Sequence, residues 1–404
     1  MRLFRTYKKP VKLKLATSLL LIFSTLLAIC IYNSPLRGIY KHVFNRVYIT
    51  PNFSLHMFIN DFLMAIFFLV AGLEIKHEIL YGNLSSLKKA SFPVIASIGG
   101  VTVPALIYFL FNKNTPLING ICIPISTDIA FAVGLFLLFR NKLNPSLKIF
   151  LLSLAVVDDL ISIAAIAIIY SLDIDLFYLI IGLLILITLC IANKFFNVNS
   201  VTYYLIGGAC LWYFIHLSGV HSTISGILLA LAIPSKSSMG DLSTLERLQK
   251  LLVPINSLLI IPLFAFANTG VSLSYDLAFS HAPTLSLGII LGLCIGKPLG
   301  IMLFSYISCL LKITEKPSYI NWSSIFLVSL IAGIGFTMAI FVSEVAFIRD
   351  SALINIAKMS ILCSAIISIL STSIAIYIYS HMNNNNNNNN QRSSSIKSNK
   401  YHIS

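Results

Sequence analysis

Asp158 and Asp159 lie side by side in the apolar run IFLLSLAVVDDLISIAAIAIIY, from Ile149 to Tyr170. Paired carboxylates can exchange protons, or hold a hard cation through oxygen ligands. The run is long enough to cross a bilayer, because ~20 apolar residues rising ~1.5 Å each span ~30 Å. An ionised, unpaired Asp at the centre of such a helix costs about 2.5–3.5 kcal/mol on insertion scales. A chain that keeps two of them there uses them to hold something that hydrocarbon cannot. The plainer alternative is a buried polar pair that only fixes helix packing.

The other intramembrane charges sharpen this. Lys297 sits at the middle of LGLCIGKPLGIMLF, between Gly296 and Pro298. A lysine at that depth must snorkel, pair with a carboxylate or lose its proton. Its central position argues for a carboxylate, and Asp158 or Asp159 is the natural candidate. Neighbouring residues on a helix point ~100° apart. One aspartate can therefore meet Lys297 while the other lines an aqueous cavity, where a proton and Na⁺ exchange. Thr127 offers a further hydroxyl oxygen.

Asp128 lies in CIPISTDIAFAVG, after Pro124. Proline lacks the backbone donor a helix interior needs, while Ser126, Thr127 and Asp128 are helix-capping types ahead of a new apolar run. The segment reads as two half-helices with a polar restart, where a carboxylate balances positive helix ends. A second run, LIAGIGFTMAIF, is interrupted by Gly333 and Gly335. Paired interruptions in the two halves of a chain point to a transporter built from inverted repeats. Glu74, His77 and Glu78 form an acidic cluster with one imidazole at an inner helix end. It reads either as a solvated end or as a cation funnel and proton-sensing site.

These residues need helices to hold them in a membrane. The chain has 404 residues, of which 57% are hydrophobic and only 10% charged, with a mean hydropathy of +0.89. Soluble domains carry ~25% charged residues. The composition predicts an all-α polytopic membrane protein of about twelve transmembrane helices, with the lipid bilayer as its surroundings. The expected spans are 15–32, 57–80, 91–112, 119–138, 147–170, 175–193, 201–217, 219–233, 251–272, 284–311, 323–347 and 353–380. Continuous runs argue against a transmembrane barrel. The apolar stretch after the basic residues 1–14 is too long for a signal peptide, so it reads as a first spanning helix. Residues 15–380 then form the transmembrane domain, and residues 381–404, with their asparagine run, an expected disordered cytoplasmic tail.

The net charge of +14 could suggest nucleic acid. With the N-terminus inside, however, 21 of the 28 Lys and Arg fall in inner segments and six in outer ones. That bias places both termini in the cytoplasm and leaves no basic soluble domain for nucleic acid. The seven cysteines show no ligand spacing, so no metal cofactor or disulfide framework is expected.

Together PISTDIAFAVG, LKIFLLSLAVVDDL, SGVHSTISGILLA, IPLFAFANTGVSL, LGLCIGKPLGI and AGIGFTMAIF resemble the NhaA-type sodium/proton antiporters. INDFLMAIFFLVAGLEIKHE and SFPVIASIGGVTVPALIY belong to the same ordered match, from about Phe58 to about Phe347. The architectural rule about paired broken helices rests partly on this family, so the two inferences are not independent. The resemblance implies two broken, crossed helices, here those of Ser126–Asp128 and Gly333–Gly335. It implies Asp158 and Asp159 as the ion- and proton-binding pair, with Asp159 the direct ligand. Thr127 and Asp128 would lie at the crossing, and Lys297 would pair with Asp158. It further implies electrogenic export of Na⁺ or Li⁺ against external protons in a bacterial inner membrane, without a cofactor.

Two departures bear on regulation. RLQKLLVP carries Gln249 and Lys250 where the family has an acidic residue and a histidine tied to alkaline activation. Glu246, one turn earlier, is the candidate substitute, and His77 stands where arginine is common. The Asn33–Phe53 segment is short where the family forms a dimer-contacting hairpin, which leaves a homodimer open. The competing functions are a cation channel or regulatory protein on the same fold, and an intramembrane aspartyl protease using Asp128 and Asp159. No GxGD element supports the protease, and Lys297 has no place in that chemistry.

Overall fold

The computed structural model describes residues 8–400 apart from 51–52, 83, 141, 172–173, 237–241, 273–281, 318–319 and 349. Residues 1–7 of the expected basic N-terminus and 401–404 of the expected tail lie outside the described residues.

Among the described residues, eight helices are long and apolar enough to cross a membrane. They are Leu15–Tyr32, Leu55–Tyr81, Ala90–Asn112, Leu147–Ile169, Leu176–Lys194, Thr244–Asn268, Pro283–Leu310 and Ser351–Met382. Two more segments are bent pairs: Pro116–Ile125 with Ile129–Leu138 at 42°, and Trp322–Ala332 with Phe336–Ala346 at 46°. Three shorter helices are Arg37–Arg46, Val201–Leu217 and Ile224–Ala232. The last of these, with nine residues, rises only ~14 Å and cannot cross alone. The expected 219–233 span is shorter because residues 218–223 form a turn, in which Gly219 takes φ 78°, a conformation open to glycine. The final helix runs from Ser351 to Lys400, through the asparagine run expected to be disordered. Its sequence holds no Gly or Pro to stop it.

Position in the bundle follows sequence. The most apolar window of Leu176–Lys194 is 17% buried, whereas that of Leu147–Ile169, which carries both aspartates, is 67% buried. The second bent pair is apolar over most of its length and largely buried around its break, as an enclosed helix should be. Val328, Ile331, Ala332, Ile334, Ala339 and Ile340 are each fully buried. The bundle therefore wraps around the two helix breaks.

Two local devices set the approach of Lys297. Gly99 and Gly300 lie at the contact between Leu87–Asn112 and Lys297–Leu310, where a Cβ on either would strike the other's backbone carbonyl. Small residues there let the backbones come close. Directly before Lys297, residues Gly292–Gly296 form a π-helical turn. A proline ring clashes with the carbonyl four residues back, and the wider turn relieves Pro298 of that clash. Asn256–Ile260 does the same ahead of Pro262. The described sheet is a two-stranded hairpin, Tyr48–Thr50 with Phe53–Ser54, between the first two spanning helices.

Candidate functional site

The first break begins where Pro124 ends the half-helix Pro116–Ile125. Ser126 then takes an extended conformation, and Asp128 caps Ile129–Leu138 through Oδ1, which accepts from the Phe131 amide at 2.9 Å. The second break spans Gly333–Gly335, between Trp322–Ala332 and Phe336–Ala346. The two breaks touch directly, because the Asp128 amide donates to the Ile334 carbonyl at 2.9 Å. A Cβ on Gly335 would come within 3.0 Å of the Ser126 carbonyl oxygen, so a bare backbone is needed at the crossing.

Four half-helix ends thus converge in the interior, and each has an answering group. Asp128 serves both positive ends. Its Oδ2 accepts from the Thr337 amide at 3.0 Å and from the Thr337 hydroxyl at 2.5 Å. A carboxylate at helix N-termini is favourable because the unpaired amides carry partial positive charge. At the negative ends, the Lys297 ammonium donates to the Ile125 carbonyl at 2.7 Å. Thr127 Oγ1 lies 3.1 Å from the Ala332 carbonyl and 2.6 Å from Asp158 Oδ2. Its single proton is shared between these two acceptors, closer to the carboxylate.

Lys297 Nζ lies 2.8 Å from Asp158 Oδ2, with both side chains fully buried. Asp158 Oδ1 accepts from the Ser97 hydroxyl at 2.6 Å. Asp158 is thus held by three donors. Asp159, one residue on, points elsewhere. It is nearly fully buried, and its Oδ1 has no hydrogen-bond partner in the protein. It lines a cavity of about 160 Å³ together with Asp128, Thr337, Glu74, Asn256 and Phe67.

The remaining sequence candidates fall outside this cavity. His77 packs its ring against Tyr81 at 5.6 Å between centroids, and Glu78 does not line the cavity. Glu246 closes a capping box with Ser243 at the start of Thr244–Ile255, accepting from the Ser243 amide at 2.9 Å. A further acidic residue, Glu344, forms an ion pair with Lys358 toward the far end of the half-helix Phe336–Ala346. Ser97 and Thr337 are the contacts that sequence reading missed. Each is one hydroxyl inside an apolar run, with no pattern to separate it from the many serines that bond their own helix backbone.

A family model described as Na⁺/H⁺ antiporter 1 matches residues 8–376. The chain belongs to this antiporter family. Among its relatives, the Na(+)/H(+) antiporter NhaA 2 of Aliarcobacter butzleri is 43% identical over 373 residues, covering 89% of this chain and 93% of that protein. The Na(+)/H(+) antiporter NhaA of Helicobacter pylori strain ATCC 700392 / 26695 is 41% identical over 409 residues, covering 90% and 93%. The NhaA 1 of Clostridium beijerinckii is 44% identical over 363 residues, covering 87% and 90%. The antiporter is therefore an all-α, multi-pass membrane protein whose two bent helix pairs cross beside a pair of aspartates.

Proposed function

We propose that this chain is a secondary Na⁺/H⁺ antiporter that exports Na⁺ or Li⁺ from a bacterial cytoplasm in exchange for external protons. One observation carries the mechanism. Asp158 is fully committed to Lys297, Ser97 and Thr127, while Asp159 keeps one carboxylate oxygen free beside a cavity. A carboxylate in that position takes up either a proton or a hard cation, not both. Mutual exclusion at one site couples the two ions, provided that access alternates between the two faces.

The rest of the crossing supports this role. Asp128, Thr127 and Lys297 answer the half-helix ends, so the breaks persist without ions and can shift as units when access changes. Asp128 is tied to Phe131 and Thr337 through both oxygens, which leaves it unsuited to activating water as a protease aspartate would. Glu74, on the cavity wall, serves to draw cations toward Asp159. The lysine and arginine bias supports both termini in the cytoplasm, with the protein in the inner membrane. Exchange of more protons than sodium ions makes transport electrogenic. The Tyr48–Ser54 hairpin is the candidate contact of a homodimer.

Everted membrane vesicles provide the test. Na⁺ addition should release protons from acid-loaded vesicles that carry the wild type, and Asp159→Asn should abolish the response. Normal exchange by Asp159→Asn would sink the reading.

A further inference from the structure

The oxygens around the crossing divide into two groups. The carboxylate oxygens of Asp158 accept from Ser97, Thr127 and Lys297. Those of Asp128 accept from Phe131 and Thr337. Against these stand four buried side-chain oxygens with no protein partner: Asp159 Oδ1 and Asn256 Oδ1, on residues that line one cavity, and Ser126 Oγ and Ser162 Oγ. Ser126 and Ser162 are both fully buried.

Their placement is not scattered. Ser162 follows Asp159 by three residues on one helix, and residues so spaced are neighbours on a helix surface. Ser126 lies in the first break, two residues before Asp128, and its backbone meets Gly335 of the second break. A buried hydroxyl without a partner is unfavourable, so interiors seldom keep one. Several buried serines in this bundle avoid that state by donating to their own helix. Ser225 donates to Ser222, Ser329 to Phe326 and Ser343 to Ile340. Ser126 and Ser162 do not.

We propose that Ser126 and Ser162 supply hydroxyl oxygens to the dehydrated cation held by Asp159, and so set its affinity and the preference between Na⁺ and Li⁺. A hard cation leaving water needs several oxygens in place of its hydration shell, and one carboxylate cannot supply them all. The hydroxyls add neutral ligands and leave the net charge of the site unchanged. Proton binding at Asp159 does not need them. They therefore favour the cation over the proton, which a purely structural serine would not do. The larger ion takes more ligands, so Na⁺ depends on the serines more than Li⁺ does. This rests on the antiport reading of Asp159.

The experiment is direct ion binding to the purified full-length protein in detergent at alkaline pH, by titration calorimetry with NaCl and LiCl. Ser126→Ala and Ser162→Ala should each raise the Kd for Na⁺ roughly 3- to 10-fold, the effect of one lost polar contact. The double variant should lose more, with a smaller loss for Li⁺. Ser162→Thr, which keeps the hydroxyl, should restore affinity; Ser162→Cys, which keeps the volume but not the hard oxygen, should not. Unchanged Kd values for both ions in the double alanine variant would overturn the proposal and leave the hydroxyls as sites for water. Asp159→Asn in the same assay separates the two readings. If it binds Na⁺ normally, the antiport site itself is misplaced; if it fails while the serine variants bind normally, only the present inference falls.

Discussion

Lys297 joins two elements at once: its ammonium lies 2.8 Å from Asp158 Oδ2 and 2.7 Å from the carbonyl of Ile125, the last residue of a half-helix. It is both the counter-ion of a buried carboxylate and the cap of a broken helix. Removing one partner of a buried pair costs about 3–5 kcal/mol, because the other charge is stranded. Lys297→Ala should therefore lower the melting temperature in detergent and raise the apparent KM for Na⁺, while still inserting and folding. Adding Asp158→Asn should recover part of the lost stability, since position 158 then carries no stranded charge. A double variant less stable than the single one would contradict this.

Asp128 caps two helices, since both its oxygens accept from groups at their N-termini. Loss of a side-chain cap costs about 0.5–2 kcal/mol. Asp128→Ala should thus lower stability by about 1–4 kcal/mol if the two losses add, and slow turnover by loosening the crossing. Asp128→Asn keeps an acceptor and should lie between wild type and alanine. Thermal unfolding of both variants, beside vesicle transport, checks the order.

The contact of Gly99 with Gly300 sets how near Lys297 comes to Asp158. Gly99→Ala places a methyl against a backbone carbonyl, which cannot swing away as a side chain would. Overpacking of this kind costs about 1–3 kcal/mol. The expected result is a lower melting temperature together with a raised KM for Na⁺. A variant with both values unchanged would show that the helices adjust without moving the lysine.

Much of this was legible in the sequence because the signals were energetically loud. A charge in an apolar run, a proline before capping residues and a pair of mid-run glycines each violate a strong local rule, and each marks a real break or buried ion. The ~100° turn between neighbours separated the environments of Asp158 and Asp159, but it did not say which one met Lys297. That choice depends on how Leu147–Ile169 is rotated against Gly99 and Gly300, a packing fact. Ser97 and Thr337 stayed hidden because a lone hydroxyl in a helix satisfies itself as often as it reaches a neighbour. Ile125 could not be found at all, since its contribution is a backbone carbonyl exposed by Pro124 and the break that follows.

Glu246 was the sequence candidate for a pH sensor, and the structure gives it a local task. Its carboxylate accepts from the Ser243 amide, while the Glu246 amide donates to Ser243 Oγ at 3.2 Å. Glu246→Gln keeps an acceptor for the capping box and removes only the charge. Transport measured from about pH 6 to about pH 9 should then show an unchanged profile. Glu246→Ala should lower stability by about 1 kcal/mol without moving the profile either. A displaced profile in Glu246→Gln would instead support the sensing role.

Competition at Asp159 makes a quantitative statement about pH. If one proton and one cation exclude each other there, the apparent KM for Na⁺ must rise as the site fills with protons. In the acid limit the rise is about tenfold per pH unit, because each unit multiplies the protonated fraction relative to the free carboxylate by ten. In the alkaline limit KM becomes flat. The maximal rate at saturating Na⁺ should depend on pH far less, since excess cation displaces the proton. Asp128→Asn should leave the slope intact, because both oxygens of that carboxylate already accept from helix amides and a hydroxyl. Vesicle KM values for Na⁺ at several pH values decide the point. A maximal rate that collapses in acid while KM stays constant would mean that protons act at a separate site, away from Asp159.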